Sequence, residues 1–340
     1  MSKNPRKDQR KLKREKERRR GKERRKRKGR KLKLDEIKSR AKSFFEERGL
    51  NFHLVDDVGW SAERARLVLK TIGLKTNVIR SDFVPSTESK FLGRKISLPV
   101  MPAPLSGIIK AIDKDCFKKI ADGSTSSGVI PWIGYPAKRE DLYDLKDFVW
   151  IIKPLKDRNL IYSEIEYAEK HCIAVGIDLD CSAFECISGN VYTYKFLKPI
   201  DYPELKDLAS STKLPFIAKG ILSERDYDLA IKAGCEAVVI SNRGGRIIDS
   251  SVFPLEVLQS IEKMTETGVD SFIRSGDDVF KALAMGADFV LVGRPIVWGL
   301  TFPNGVRRVL EFFKSDLETV MHACGVKNVH EITKDLLISL

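Results

Sequence analysis

The chain has 340 residues, 42% of them apolar, enough to bury one sizeable core, and its length beyond a basic N-terminal stretch suits one barrel better than two small domains. The net charge of +14 is confined to one end: residues 1–33 carry 20 lysines and arginines against 4 acidic groups, a local charge of +16. The other 307 residues hold 41 basic and 43 acidic groups, so the high pI describes a tail and excludes a strongly basic face on the folded part.

Residues 1–33 are almost devoid of apolar groups and are expected to be disordered or only transiently helical, because nothing there offsets the entropy of ordering. From Leu34 the composition changes. Helical patterns over 35–48 and 61–73 and a polar, proline-containing connection make residues 34–97 an N-terminal helical segment packing on the remainder of the chain. Residues 98–340 alternate short apolar runs with amphipathic stretches, the pattern of parallel strands and covering helices. The runs lie at 99–103, 129–133, 148–152, 174–179, 215–218, 237–240, 269–273 and 289–292. Helices are expected near 116–126, 139–145, 159–170, 224–233, 254–264, 277–285 and 306–323, whereas 181–214 lacks a strong helical pattern. Eight strands with right-handed crossovers predict an α/β fold, a (β/α)8 TIM barrel, whose reactive face is the C-terminal ends of the strands.

The six cysteines, at 116, 172, 181, 186, 235 and 324, form no C-x-x-C pair and no zinc-like spacing, which favours a reducing, cytoplasmic setting and no metal. No apolar run reaches the roughly 18 residues of a membrane span, and no secretory signal pattern opens the chain.

After the seventh and eighth runs come Arg274-Ser275-Gly276-Asp277-Asp278 and Gly293-Arg294-Pro295. Each is a glycine-containing turn with a guanidinium where a helix begins. That combination holds a phosphate in such barrels, through free backbone N–H groups, a helix N-terminus and a cation converging on one anion.

These residues carry a resemblance. AKGILSERDYDLAIKAGCEAVVISNRGGRIID and VDSFIRSGDDVFKALAMGADFVLVGRP look like the second half of FMN-dependent 2-hydroxy-acid oxidases and dehydrogenases, and GRKISLPVMPAPLSG and KPLKDRN are similar to that family's first- and third-strand signatures. Flavin-dependent isopentenyl diphosphate isomerases share the glycine-arginine turns but account less well for S-N-x-G-G-R. The resemblance implies a bound FMN with its phosphate near Arg274, Gly293 and Arg294. It places Lys219 at the flavin N1–C2 edge, where a cation stabilises charge on the reduced ring. It implies flavin contacts for Ser241 and for Pro104, Leu105 and Ser106, a ribityl contact for Asp270, and puts Asp178 where the family has a flavin-contacting threonine. Arg246 matches the arginine that pairs with the substrate carboxylate, and Asp180 the carboxylate that orients a catalytic histidine. The implied reaction oxidises an anionic 2-hydroxy acid to the 2-oxo acid, in a homo-oligomer of the tetrameric kind.

The pattern breaks at Arg243, which stands where the family's S-N-H-G motif has its histidine. A guanidinium, with a pKa above about 12, cannot remove a proton at neutral pH. None of the four histidines is an obvious substitute; His53 precedes the barrel. Lys153, where the family has a tyrosine, or Asp180, freed from orienting a histidine, could replace the base, and an Arg243–Asp180 ion pair would leave flavin binding intact. The alternative function is a flavin-binding barrel that has lost hydroxy-acid oxidation and performs another redox step or serves as a polyanion-associated scaffold. Three cations, Lys153, Arg243 and Arg246, also favour a substrate with more negative charge than a simple monoacid. The tail is an electrostatic binder of RNA or another polyanion without sequence specificity, since it lacks aromatic residues for stacking.

Overall fold

The apolar runs between residues 99 and 292 lie side by side in the computed structural model, which describes residues 33–142, 144–181, 184–185, 191–192 and 195–339. The expectations for residues 1–32, and for much of 181–194, fall outside the described residues. Helices α1 (Leu34–Glu47) and α2 (Trp60–Lys70) come first, then the short strand β1 (Ile72–Leu74) and a hairpin of β2 (Ser89–Phe91) and β3 (Arg94–Ile96). Among the described residues, eight parallel strands then build the barrel: β4 (Val100–Pro102), β5 (Trp132–Gly134), β6 (Phe148–Ile152), β7 (Cys172–Asp178), β10 (Phe216–Ile221), β11 (Ala237–Ile240), β12 (Glu266–Val269) and β13 (Phe289–Val292). A small pair, β8 (Phe184–Glu185) and β9 (Val191–Tyr192), follows β7.

The strands hydrogen-bond in the order β4-β13-β12-β11-β10-β7-β6-β5, and the ring closes where Leu105 bridges Ile133 and accepts a hydrogen bond from Gly134 N at 2.9 Å. Strands β6, β11 and β13 are buried along their whole length, as parallel strands covered on both faces require. The covering helices are α3 (Cys116–Ser126), α4 (Arg158–His171), α5 (Tyr202–Ser210), α6 (Glu224–Lys232), α7 (Pro254–Leu258), α8 (Gly276–Ala284), α9 (Arg294–Leu300) and α10 (Gly305–Cys324). Phe91 of the hairpin is fully buried and packs its ring at 5.4 Å from Trp132 and 5.0 Å from Phe289, at the N-terminal ends of β5 and β13. The opposite end of the barrel is left to the loops.

The structure departs from the sequence expectations in five elements. The seventh strand is Glu266–Val269, not 269–273: Ser271 and Phe272 adopt left-handed φ of 75° and 56°, which no strand tolerates. The stretch 139–145 holds only a three-residue 3-10 turn, Arg139–Asp141, and α7 stops at Leu258. Helix α5 was not expected; its start is set by a reciprocal capping box of Asp201 and Glu204 with Pro203 in the first turn, a local signal that outweighs a weak apolar pattern. Finally, the helical pattern over 61–73 ends at Lys70, because Ile72–Leu74 pairs antiparallel with β14 (Leu337–Ser339) from the far end of the chain.

Candidate functional site

Strand register brings the charged residues together. Lys219 on β10 lies level with Asp178 on β7, and Ile152 on β6 lies level with Ile177, which sets Lys153 at the same height as Asp178. Asp178, Lys153 and Lys219 are almost fully buried. Asp178 Oδ2 accepts hydrogen bonds from Lys153 Nζ and, at 2.6 Å, from Arg243 Nη1, which also donates to Asp180 Oδ1 at 2.9 Å. Lys219 Nζ stands 3.0 Å from Asp270, 3.3 Å from Ser241 Oγ and 3.6 Å from Asp178 Oδ1. Three cations and three carboxylates thus share one mouth.

The backbone makes room for this cluster at two glycines. Gly220 (φ 94°) interrupts the β10–β11 register, and a Cβ there would come within 2.5 Å of the Asp180 carboxyl carbon. Gly245 (φ 77°), in the S-N-R-G-G-R turn, would place a Cβ 2.7 Å from Ser61, the second residue of α2. Arg243 itself has a left-handed φ of 53°. Arg243, Ser271 and Phe272 are side-chain-bearing residues in a region glycine prefers, and all three line one cleft, so local strain is concentrated at the site.

The charges set the protonation states. Burial alone would favour neutral Asp178, but Arg243, Lys153 and Lys219 hold its carboxyl well below the usual range. Asp180 goes the other way: burial, together with the neighbouring Asp178 charge and against the pull of Arg243, pushes it up to about 6. Lys219 and Arg243 are both raised despite burial, because of the carboxylates around them, so both stay charged.

A cavity of about 620 Å³ opens over this cluster, and the sequence-predicted Pro104, Leu105 and Ser106 line it together with Lys153, Asp178 and Lys219. Arg243, Arg246, Asp270 and Arg294 complete the wall. Asp180 is not on the wall; it lies behind Arg243, over Gly220. Ser241 acts on the wall through Lys219 and accepts a hydrogen bond from Arg243 N at 3.0 Å. His53, expected before the barrel, is exposed but lines the same cavity. Asp249, three residues beyond Arg246 and on the same wall, accepts the first amides of α2, Trp60 N at 2.7 Å and Ser61 N at 3.1 Å.

The cavity adjoins a cleft of about 130 Å³ lined by Arg274, Gly293 and Arg294, where the sequence places a phosphate. One expectation for this cleft needs correction. Three of the amides where α8 begins are taken, since Gly276 N donates to Asp316 at 2.6 Å, Asp278 N to Ser275 Oγ at 3.1 Å and Arg274 N to Asp278 at 2.8 Å. The guanidiniums of Arg274 and Arg294 are the cationic groups of this cleft that would meet an anion. Both touch Asp57, which no sequence motif singled out: Arg274 Nε donates to Asp57 Oδ2 at 2.8 Å, Arg274 Nη2 to Oδ1, and Arg294 Nη1 to Oδ1 at 3.0 Å. The Arg274 contact spans 217 residues of sequence, beyond the reach of any local signal.

The model of the family described as FMN-dependent dehydrogenase matches residues 55–190 and 185–339. Among curated proteins, the chain is 42% identical over 159 residues to 2-hydroxyacid oxidase 2 of Bos taurus, covering 44% of this chain and 45% of that one. It is 39% identical over 155 residues to the 2-hydroxyacid oxidase of Dictyostelium discoideum, covering 44% and 40%. The matched stretch therefore spans under half the length of these relatives. Among solved structures, a mandelate oxidase with 3,3-difluoro-2-hydroxy-3-phenylpropionic acid superposes with a TM-score of 0.79 at 25% identity, covering 91% of this chain and 98% of that one. A mutant mandelate oxidase with the monooxide FMN adduct gives 0.74 at 26% identity, covering 85% and 95%.

The residues present fit FMN. A buried cation, Lys219, sits in the wide cavity, and the paired guanidiniums stand at the narrow end. Asp178, which lines the same cavity, has one oxygen, Oδ1, that is buried and accepts no hydrogen bond within the described residues. Matched along both halves of its sequence and carrying a cavity that runs from ring-sized to phosphate-sized across the barrel mouth, the chain belongs to the FMN-dependent dehydrogenase family.

Proposed function

We propose that this chain oxidises an anionic 2-hydroxy acid to the 2-oxo acid with FMN as the immediate electron acceptor. The observation that carries the reading is the convergence of Arg246, Lys219 and Asp178 on one cavity of the barrel's C-terminal face. When bound, FMN supplies a two-electron acceptor. Arg246 pairs with the substrate carboxylate through its fixed fork of donors. Lys219, held charged by Asp270 and Asp178, faces the ring edge where negative charge accumulates. Ser241 steadies Lys219, Asp270 holds the sugar chain, and the backbone of Pro104, Leu105 and Ser106 supports the ring.

The reaction removes a hydride equivalent from carbon and a proton from the hydroxyl oxygen. Arg243 cannot take the proton, because its carboxylate partners raise it further. Asp178, which lines the cavity, and its neighbour Asp180 are the carboxylates left to take the proton, and Asp180, pushed up to about 6 by burial and the Asp178 charge, retains it. Lys153, paired with Asp178, helps keep that carboxylate ionised between turnovers. The cations Lys153, Lys219, Arg243, Arg246 and Arg294 outnumber the carboxylates on the wall, which favours a substrate with two negative charges.

The test is anaerobic titration of the flavin-loaded protein with mono- and dianionic 2-hydroxy acids. Bleaching of the flavin band near 450 nm is expected, with tighter binding for the dianions. A loaded protein that no acid bleaches means that Arg243 has ended this chemistry.

Beyond the barrel, the tail of residues 1–33 supports salt-sensitive binding to RNA or another polyanion. Deleting it should abolish that binding and leave turnover unchanged. Among the described residues no helix is long and apolar enough to cross a membrane. Among the described residues five cysteines are free thiols, which supports a cytoplasmic setting, and family resemblance supports a tetramer.

A further inference from the structure

We propose that Ser271 is a positioning residue for the flavin site: its hydroxyl clips the Asp270 carboxylate in the rotation that holds Lys219, and ties that carboxylate to the S-N-R-G-G-R turn. The inference rests on the FMN reading above and concerns this chain's own residues.

Ser271 stands two residues beyond the end of β12, half-buried in the wall of the narrow cleft. A serine hydroxyl can donate once and accept as well, and this one does both. Oγ donates to Asp270 Oδ1 at 2.7 Å and accepts from Gly244 N at 3.0 Å. The other carboxylate oxygen, Asp270 Oδ2, lies 3.0 Å from Lys219 Nζ. Lys219 in turn donates to Ser241 Oγ at 3.3 Å, which also accepts from Arg243 N at 3.0 Å. These contacts close a ring from Lys219 through Asp270, Ser271, Gly244, Arg243 and Ser241, joining β10 to the turns that follow β11 and β12.

The terminal torsion of an aspartate is broad and roughly two-fold, so an ion pair alone leaves the Asp270 carboxylate free to turn. Giving each oxygen its own partner, a hydroxyl for Oδ1 and an ammonium for Oδ2, removes that freedom. Lys219 has a competing acceptor: Asp178 Oδ1, 3.6 Å away, is buried and accepts no hydrogen bond within the described residues. Without the clip, Asp270 turns and Lys219 shifts toward Asp178, whose charge already meets Lys153 and Arg243. The ammonium then leaves the place from which it stabilises charge on the reduced ring.

The backbone supports a role for the hydroxyl. Ser271 has a φ of 75°, in the region where a glycine would sit without strain, and such strain persists only where the surroundings over-determine it. The turn it clips is itself left-handed, with Arg243 at 53°, Gly244 at 64° and Gly245 at 77°. The Gly244 amide is shared with Asn242 Oδ1 at 3.0 Å, and Arg294 Nη2 donates to Gly244 O at 2.9 Å. A strained serine therefore links Lys219, on the wide cavity, to the turn that carries Arg243.

The experiment compares the full chain with Ser271→Gly, which keeps the left-handed backbone and removes the hydroxyl. Without flavin, the variant should melt close to the unaltered chain, since glycine relieves backbone strain while loosening the unfolded state. Hydrogen exchange over residues 241–246 should quicken severalfold in the same flavin-free protein. Loaded with FMN, the variant should show a midpoint potential lower by about 30 mV, a tenfold change in the equilibrium of a two-electron couple. A merely structural tie would lower the melting temperature and leave the potential where it was. An unchanged potential in the folded, loaded variant, or unchanged exchange over 241–246, overturns the proposal. If Ser271→Gly does not fold, Ser271→Ala, which also lacks the hydroxyl, is read in the same way. If neither protein binds FMN while exchange over 241–246 still quickens in the variant, the FMN reading falls and the clip stands.

Discussion

The two ends of the site are built from the same ingredients, guanidinium or ammonium groups against carboxylates, and they differ in balance. At the redox end, Lys153, Lys219 and Arg243 face Asp178, Asp180 and Asp270, cation for anion. At the phosphate end, Arg274 and Arg294 share the single carboxylate of Asp57, with Arg246 close by. A balanced buried cluster is a rigid fixture whose members cannot be removed singly. A pair of cations sharing one carboxylate draws in negative charge from a ligand. The comparison teaches which residues hold the site's shape and which hold its cofactor.

The largest effect should come from breaking the balance. Asp178→Asn leaves Lys153 and Arg243 buried against a neutral group, and the protein should lose on the order of 3–5 kcal/mol of stability, read from the denaturant midpoint; a change within error would mean the cluster is solvated in solution. At the other end, Arg294→Met should leave the fold intact and weaken FMN by about a hundredfold, since a charge-assisted hydrogen bond contributes about 1.5–3 kcal/mol. Riboflavin affinity should not change, and an equal loss for both flavins would place the phosphate elsewhere.

Protonation sharpens the contrast. Asp180 is raised, so it is protonated below about 6 and becomes a base above it. The value of kcat/KM should rise with pH through about 6, and Asp180→Asn should remove that limb. A limb that survives the substitution assigns the proton to another group.

The smallest effect concerns Asp57, which burial opposes but Arg274 and Arg294 bring down to about 2. A depressed carboxylate stabilises the fold above its unfolded value of 3.8 and loses that contribution as pH falls toward about 2. The stability difference between the unaltered chain and Asp57→Asn should be about 2 kcal/mol near neutrality and vanish near pH 2. A difference that persists in acid would show that Asp57 acts through something other than its charge.

Much of this molecule is written locally. The barrel follows from eight apolar runs separated by amphipathic stretches, and Ser223, Ser275 and Asp157 cap their helices as their sequence positions predict. Lys219, Arg246, Arg274 and Arg294 could be found because each sits just after a strand, where parallel topology puts every loop at one face. The boundary of β12 and the helix α5 were misread because strain at Ser271 and Phe272 and a capping box outweigh apolar periodicity.

By itself, then, the amino-acid sequence determined the barrel, the family and the cation-rich mouth, because those depend on periodicity and on residues a fixed distance from strand ends. Only the tertiary structure decided what neutralises each cation. Asp57 meets Arg274 across 217 residues and His53 reaches the cavity wall from ahead of the barrel. Asp180, two residues from Asp178 in sequence, is turned behind Arg243 instead of into the cavity. Charge pairing acts through space, over distances of a few ångströms, and no pattern along the chain encodes which distant carboxylate will arrive there.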